Sequence, residues 1–417
     1  MKLPTSLRAL HYYNFRLYFV GQAISLIGTW MQRIAVNWLV YDVTHSAFYL
    51  GLVAFAGQVP MLLLSPYAGA YVDRHSRYRT LMATQVASMI QAGLLALVVF
   101  LGYYHIPTIV LLSLILGIIN AFDTPARQSL MIVLVQNKKD LPNAIALNSS
   151  MVTMARLAGP AVAGILLSSF GEDVCFGINF ISFIAVIISL LLMKIKIPER
   201  KKHVDPIWKG LQEGFVYLRH HRGLLAAIAL MACTSFFAMP YSNLFPVYAQ
   251  TVYKGNVTTF SWMNSIGGLG ALCGAIYMAN RKENTNFLRL TVFSSMLFCV
   301  SMMVFAYTTH IFLAMFLIMI GEAGMLSQIA ATNTYVQTRV EESMRGRVLS
   351  YYVMAFQGMQ PLGSLLVGWA AHRSSAPVTV FSEGLLGLLA AMIFIPALRR
   401  VRKQEDREQA LTQEGAI

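Results

Sequence analysis

The sequence predicts an all-α membrane protein with twelve transmembrane helices in two six-helix halves. Three observations carry that prediction. Of the 417 residues, 57% are hydrophobic and only 12% are charged, and the mean hydropathy is +0.59. So few polar side chains cannot cover a soluble domain of this length, and the chain reads as polytopic. Twelve runs are apolar over the roughly 20 residues that a helix needs to cross the hydrocarbon layer. The basic residues, finally, sort by side: by this span model 27 of the 32 lysines and arginines fall at the N-terminus, in the loops on its side or in the tail. Lys254 and Arg373 fall opposite, and Arg33, Arg127 and Arg156 lie inside runs. Basic loops stay in the cytoplasm, so both termini are expected there. The formal charge of +14 then reflects topology, and no nucleic-acid partner is expected.

The first run, near 16–42, follows an N-terminus with neither the apolar core nor the cleavage site of a signal peptide, so it is expected to act as its own insertion signal. It places Arg33 inside apolar sequence. A central arginine costs roughly 2.5–3.5 kcal/mol on insertion scales and should face protein, water or a ligand. Gln22, Ser25, Thr29, Arg33 and Asn37 recur at three- and four-residue spacing, forming one polar stripe suited to an aqueous path or a bundle interior. The second and third runs, near 47–72 and 80–102, flank a short basic loop. The fourth, near 107–135, carries Asp123 and Arg127 one turn apart. A self-neutralising ion pair is the simplest account of them, with proton coupling through Asp123 left open. The fifth, near 142–170, holds Arg156 close to the midplane, followed by Gly159, Pro160 and Gly164, and the sixth lies near 174–196.

The longest connection, 194–222, divides a first half (1–193) from a second (223–398), which a tail (399–417) follows. Within the connection Trp208, Leu211, Phe215 and Leu218 recur at helical spacing. They predict an amphipathic helix, lying at the membrane interface or serving as a solvated linker. In the seventh run, near 223–250, Pro240 and Pro246 bracket Tyr241, Ser242 and Asn243. Prolines that break a span free backbone groups, which are tolerated where they line a cavity, and hydrogen bonding between helices is the alternative. The eighth, ninth and tenth runs lie near 257–280, 287–307 and 311–337, and the tenth places Glu322 near the midplane. The eleventh, near 345–371, contains Gln357, Gln360 and Pro361. The twelfth, near 377–398, contains Glu383, which like Asp42 is expected near an outer end within reach of water.

The halves echo each other about 200 residues apart, Gly159-Pro160-Gly164 against Pro361-Gly363-Gly368 and Gly117 against Gly321. Paired six-helix halves are the mark of a secondary transporter with its site near the midplane. Intramembrane ionisable groups are functional candidates by default: Arg33 and Arg156 could attract an anion, and Glu322 could carry a proton. The four cysteines lie in apolar runs without CxxC spacing, and no HExxH, Walker A or GxSxG element is present. Neither disulfide, metal cluster nor enzyme activity is expected.

The loop Gly69-Ala70-Tyr71-Val72-Asp73-Arg74-His75-Ser76-Arg77-Tyr78-Arg79 resembles the signature between spans two and three of the major facilitator superfamily: a glycine, an aspartate four residues on, then basic residues. That resemblance implies a cytoplasmic latch in which Gly69, Asp73, Arg74 and Arg77 act with Arg345 and Arg347 at the start of the eleventh run. Ser76 stands where the family usually has glycine. Arg156-Leu157-Ala158-Gly159-Pro160-Ala161-Val162-Ala163-Gly164 resembles the Gly-Pro motif of the superfamily's exporters, associated there with antiport; a packing kink is the alternative. The segments Asn14–Tyr18, Gly28–Gln32, Thr44–Ala47, Asp123–Gln128 and Arg345–Val348 look like the branch containing enterobactin-type siderophore exporters and putative transmembrane secretion transporters.

Together these readings imply proton-coupled export of a small siderophore-like or drug-like organic molecule by alternating access across a bacterial cytoplasmic membrane. A monomer would suffice, with substrate, protons and membrane lipids as partners and no cofactor beyond the proton gradient. Arg33, Arg156, Asn37, Gln22, Tyr241, Asn243 and Gln357 are the expected substrate residues, and Glu322 and Asp123 the proton-coupling ones. Lipid or lysolipid translocation, or a membrane scaffold or sensor that transports nothing, are the alternatives.

Overall fold

The computed structural model describes residues 5–135, 137–194, 207–281 and 285–414. The side chains of residues 5, 6, 73, 138, 207–211 and 397–414 lie outside that description. Among the described residues every regular element is helical.

In chain order the helices are α1 (Tyr13–Thr44), α2 (Ala47–Arg74), α3 (Arg77–Phe100), α4 (Ile106–Leu134), α5 (Leu141–Phe170), α6 (Glu172–Leu191), α7 (Ile207–His220), α8 (Arg222–Phe237), the short α9 (Phe245–Val247), α10 (Val257–Ala279), α11 (Phe287–Ala306), α12 (Ile311–Arg339), α13 (Arg345–Val353), α14 (Met359–Arg373) and α15 (Ala376–Glu414). Among the described residues nine stretches are long and apolar enough to cross a membrane, so the chain is an integral membrane protein. Neither α1 nor α10 is among the nine. The polar stripe of α1, and the Ser, Thr, Asn and Gly content of α10, dilute their hydropathy.

Two expected single spans are broken. The seventh run is helical to Phe237, then tightens into a 3-10 turn at Met239–Leu244 and widens into a π turn at Tyr248–Val252. Pro240 and Pro246 each lack a backbone donor, which is the physical cause of the first change. In the eleventh run a π turn at Met354–Gly358 separates α13 from α14 and carries Gln357.

The chain divides into two compact units, Met1–His203 with Asn243–Gly268 and Val204–Ser242 with Leu269–Ile417. In the first unit α1 packs against α5 and α6, and α2 and α3 pack against α4. Glycines set the separations. A Cβ on Gly28 would stand 2.7 Å from Ser182 Oγ, and one on Gly117 would stand 2.6 Å from the carbonyl oxygen of Gly57, so α1–α6 and α2–α4 are close approaches that a larger residue would pry apart. In the second unit α11 packs against α12 and α15, and α8 against α14 and α15. There Gly363 of α14 lies against the carbonyl of Phe236. The Pro-Gly pair of the eleventh run thus meets α8, as Gly159-Pro160 of the fifth run meets α1.

The amphipathic segment forms α7, with Leu218 buried and Phe215 against Tyr351 at a centroid distance of 6.2 Å. A Cβ on Gly214 would stand 3.2 Å from Arg347 Cβ, so α7 lies closely on α13 within the second unit. Trp208 and Leu211, expected on the same face, have side chains outside the described residues.

Candidate functional site

In the first unit, Arg33 and Arg156 come together on one ring. The Arg33 guanidinium carbon lies 5.4 Å from the Trp30 ring centroid, and that of Arg156 lies 6.0 Å from it. Helix geometry explains the meeting. Arg33 follows Trp30 by three residues on α1, and Arg156 precedes Gly159 by three on α5. Gly159 is the point where α5 closes on α1, because a Cβ there would run into Trp30 Cβ and stand 3.2 Å from the Ile27 carbonyl oxygen. The motif read as a kink therefore also seats the indole between the two cations. Each cation–π contact contributes about 0.5–2 kcal/mol. The mutual repulsion of two guanidiniums opposes this and would be relieved by an anion. Arg33 is exposed, and Arg156 and Trp30 are half-exposed.

The rest of the α1 stripe is graded: Gln22 and Ser25 are buried, Thr29 and Asn37 half-buried. Thr29 Oγ1 donates to the Ser25 carbonyl at 2.9 Å. Beside the stripe lies a network that sequence reading missed. Asn179 Nδ2 donates to Gln32 Oε1 at 2.6 Å, Gln32 Nε2 to Gln91 Oε1 at 3.1 Å, and Gln91 Nε2 to the Leu112 carbonyl at 3.2 Å. It ties α1, α3, α4 and α6 together with buried amides. The signal was available as Gln32, Gln91 and Asn179 inside apolar runs, but only the fold shows that they meet.

Asp123 is buried and enclosed by partners. It pairs with Arg127, and its Oδ1 accepts from Thr84 Oγ1 at 2.9 Å and Gln85 Nε2 at 2.7 Å. Asp123 thus ties α3 to α4. Nearer the loop after α2, a cavity of about 700 Å³ is walled by Tyr67, Tyr71, His75, Arg79, Thr80 and Phe122 among others. The Tyr71 and His75 rings stack in its wall at 4.0 Å.

The latch residues are only partly described. The side chain of Asp73 lies outside the described residues. Arg74 and Arg345 are exposed, and Arg77 Nη1 donates to the Ser129 carbonyl at 3.2 Å. Arg347 Nη1 pairs with Glu213 of α7 at 2.8 Å. No described atom lies within 4 Å of a Cβ built on Gly69, so it makes no close helix contact in this structure.

In the second unit Tyr241 is 1% exposed, and its hydroxyl donates to Glu322 Oε1 at 3.1 Å. The Phe298 and Phe305 rings meet the Tyr241 ring edge-on at 5.6 and 6.3 Å. The 3-10 turn after α8 is what delivers Tyr241 to α12. Asn243, expected beside Tyr241, is buried and belongs to the first unit. Gln357 is exposed in its π turn. Glu383 departs from expectation: it is not reached by water but is 5% exposed, because α15 turns it toward α8 and α11.

Helices long enough to span and ionisable side chains gathered inside them define an integral membrane protein with a polar interior. The chain belongs to the transmembrane secretion effector family, whose model matches residues 5–414, within the major facilitator superfamily. It is 29% identical to the staphyloferrin A transporter of Staphylococcus aureus over 93% of this chain and 97% of that one. It is 23% identical to macrolide efflux protein A of Streptococcus pyogenes (94% and 98% covered) and 24% identical to the multidrug efflux pump Tap of Mycolicibacterium fortuitum (90% and 93%). In fold it is similar to an inward-facing bacterial homologue of the human lysosomal transporter Spinster, with a TM-score of 0.74 at 13% identity and 94% and 98% of the chains covered. It is likewise similar to a D-xylose–proton symporter, with a TM-score of 0.71 at 16% identity and 92% and 97% covered. The family and these relatives are transporters, not enzymes.

Proposed function

We propose that this protein exports a small, anionic or catecholate-like organic molecule across a bacterial cytoplasmic membrane, in exchange for protons and by alternating access. Twelve spans in two six-helix halves, with both termini cytoplasmic, are part of that reading. The observation that carries it is the Arg33–Trp30–Arg156 cluster. Two cations on one indole inside spanning helices suit a ligand that combines negative charge with a flat apolar face. A siderophore-like substrate fits the staphyloferrin A relative, and a drug-like one fits the macrolide and multidrug relatives.

Glu322 is the proposed proton carrier. It is buried in the tenth run and accepts from the Tyr241 hydroxyl, and an ionisable group inside a span is a candidate proton site by default. Asp123, with three partners, serves chiefly to hold α3 and α4 together. The latch of Asp73 with Arg345 and Arg347 remains part of this proposal, with Arg347 exchanging between Asp73 and Glu213.

Proton release on adding candidate anions to the detergent-purified protein tests the reading. Release from wild type but not from Glu322→Gln is expected. Ligand binding by both without release would remove Glu322 from coupling. Normal transport kinetics in both Arg33→Ala and Arg156→Ala would remove the substrate role of the cluster. A ligand-stabilisation screen that favours lipophilic cations over anions would point instead to a broad drug exporter.

A further inference from the structure

A second buried carboxyl in the second unit takes no part in the proposed export mechanism. Val380, Glu383, Gly384, Gly387 and Ala391 form the buried face of α15, while Leu385, Leu386, Leu389, Met392 and Ile393 form its exposed face. The two glycines that follow Glu383 draw the helix tight. A Cβ on Gly384 would lie 2.7 Å from Met303 Cγ and 2.9 Å from the Cys299 carbonyl oxygen. One on Gly387 would lie 2.7 Å from Cys299 Sγ and 3.4 Å from Ala238 Cβ. Glu383 is thus enclosed where α15 meets α11 and α8, about 10 Å along the helix from Ala376.

Both of its carboxylate oxygens are buried without a hydrogen-bond partner among the described residues. The nearest hydroxyl on its own face, that of Thr379, donates to the Ser375 carbonyl at 2.9 Å. The ionisable groups on the helices packed against α15 are Arg289 and Cys299 of α11, Arg222 and Cys233 of α8, and His372 and Arg373 of α14. None of them forms an ion pair with Glu383 among the described residues. Arg289 and Arg222 stand at the far ends of their helices, and Cys299 is the group in contact with this face of α15.

Buried polar groups with a purely structural role are hydrogen-bonded, and an ionised carboxylate left without a partner is too costly to keep. We propose that Glu383 is a proton-binding site, occupied in this conformation and emptied only when α15 parts from α11 enough to admit water. The ligand is a proton and not a metal cation, since no second carboxylate and no converging carbonyl set accompanies it among the described residues. The site depends neither on substrate identity nor on Glu322.

The experiment is difference infrared spectroscopy of the full chain in lipid, reading the carbonyl stretch that a protonated carboxyl has and a carboxylate lacks. At neutral pH without substrate, Glu383→Gln is expected to lose one carboxyl's worth of that band, and to lose it equally when introduced into Glu322→Gln. An unchanged band in Glu383→Gln overturns the proposal, as does a wild-type band that added sodium removes. If Glu383→Gln fails to fold, wild type is treated with a lipid-soluble carbodiimide, which attacks protonated carboxyls, and the adduct is mapped by peptide mass. Label on Glu383 supports the site, and label confined to other carboxyls overturns it.

Discussion

Gly159→Ala adds one methyl group where α5 closes on α1, and the outcome depends on two opposed magnitudes. Alanine in place of glycine inside a helix is worth about 0.5–1 kcal/mol in backbone entropy. Against this, the new Cβ meets Trp30 Cβ, an atom fixed to the backbone, with the Ile27 carbonyl oxygen 3.2 Å and the Met31 nitrogen 3.4 Å away. No flexible side-chain end is available to yield. Reaching carbon separations of roughly 3.5–4.0 Å requires α5 and α1 to part by about 1 Å. Overpacking of this kind costs about 1–3 kcal/mol, so the clash wins and the variant should be less stable by about 1 kcal/mol. Gly69→Ala makes the same chemical change with no described atom within 4 Å and should gain about 0.5–1 kcal/mol. The assay is thermal melting of the two purified variants beside wild type in one detergent. Shifts of opposite sign are expected. A Gly159→Ala protein that melts at or above wild type would refute the claim that this glycine seats Trp30.

Four further outcomes follow from the same geometry. Asp123→Ala strips the acceptor from the buried Thr84 and Gln85 and from Arg127, whose side chain is 24% exposed, and should cost about 1–3 kcal/mol, while Asp123→Ala with Arg127→Met recovers part of it in denaturant titrations. Tyr241→Phe keeps the ring contacts with Phe298 and Phe305 but loses the hydrogen bond to Glu322, at a cost of about 1 kcal/mol; a shifted pH profile of transport is the readout. Trp30→Leu removes both cation–π contacts and should weaken binding of an aromatic anion about tenfold while leaving that of a small inorganic anion nearly unchanged in equilibrium titration. Glu213→Gln breaks a pair whose side chains are 38% and 36% exposed, so its effect on melting should stay below about 1 kcal/mol and shrink with added salt.

The helical fold was legible because run length and hydropathy are set residue by residue: α4, expected near 107–135, occupies Ile106–Leu134. The broken seventh span was legible in part, since Pro240 and Pro246 announce missing donors. The π turn at Met354–Gly358 was not, because no residue there forbids a regular helix. At the site, the cost of burying charge pointed to Arg33, Arg156 and Glu322. Their neighbours are tertiary facts: Trp30 lies in the apolar first run with nothing to single it out, and its place between the arginines depends on Gly159, 129 positions away. Glu383 was misjudged because distance along a helix was taken for access to water. The two glycines that follow it, Gly384 and Gly387, were the available sign that this part of α15 is tightly packed.

The central claim is that protons drive export through Glu322. Purified wild type and Glu322→Gln are reconstituted into liposomes, a proton gradient of either direction is imposed, and accumulation of an anionic organic substrate is followed beside its equilibrium binding. The account predicts gradient-driven accumulation by wild type, and in Glu322→Gln at least a tenfold loss of that accumulation with binding retained. Equal accumulation with and without the gradient in wild type, or undiminished gradient-driven transport by Glu322→Gln, would contradict it.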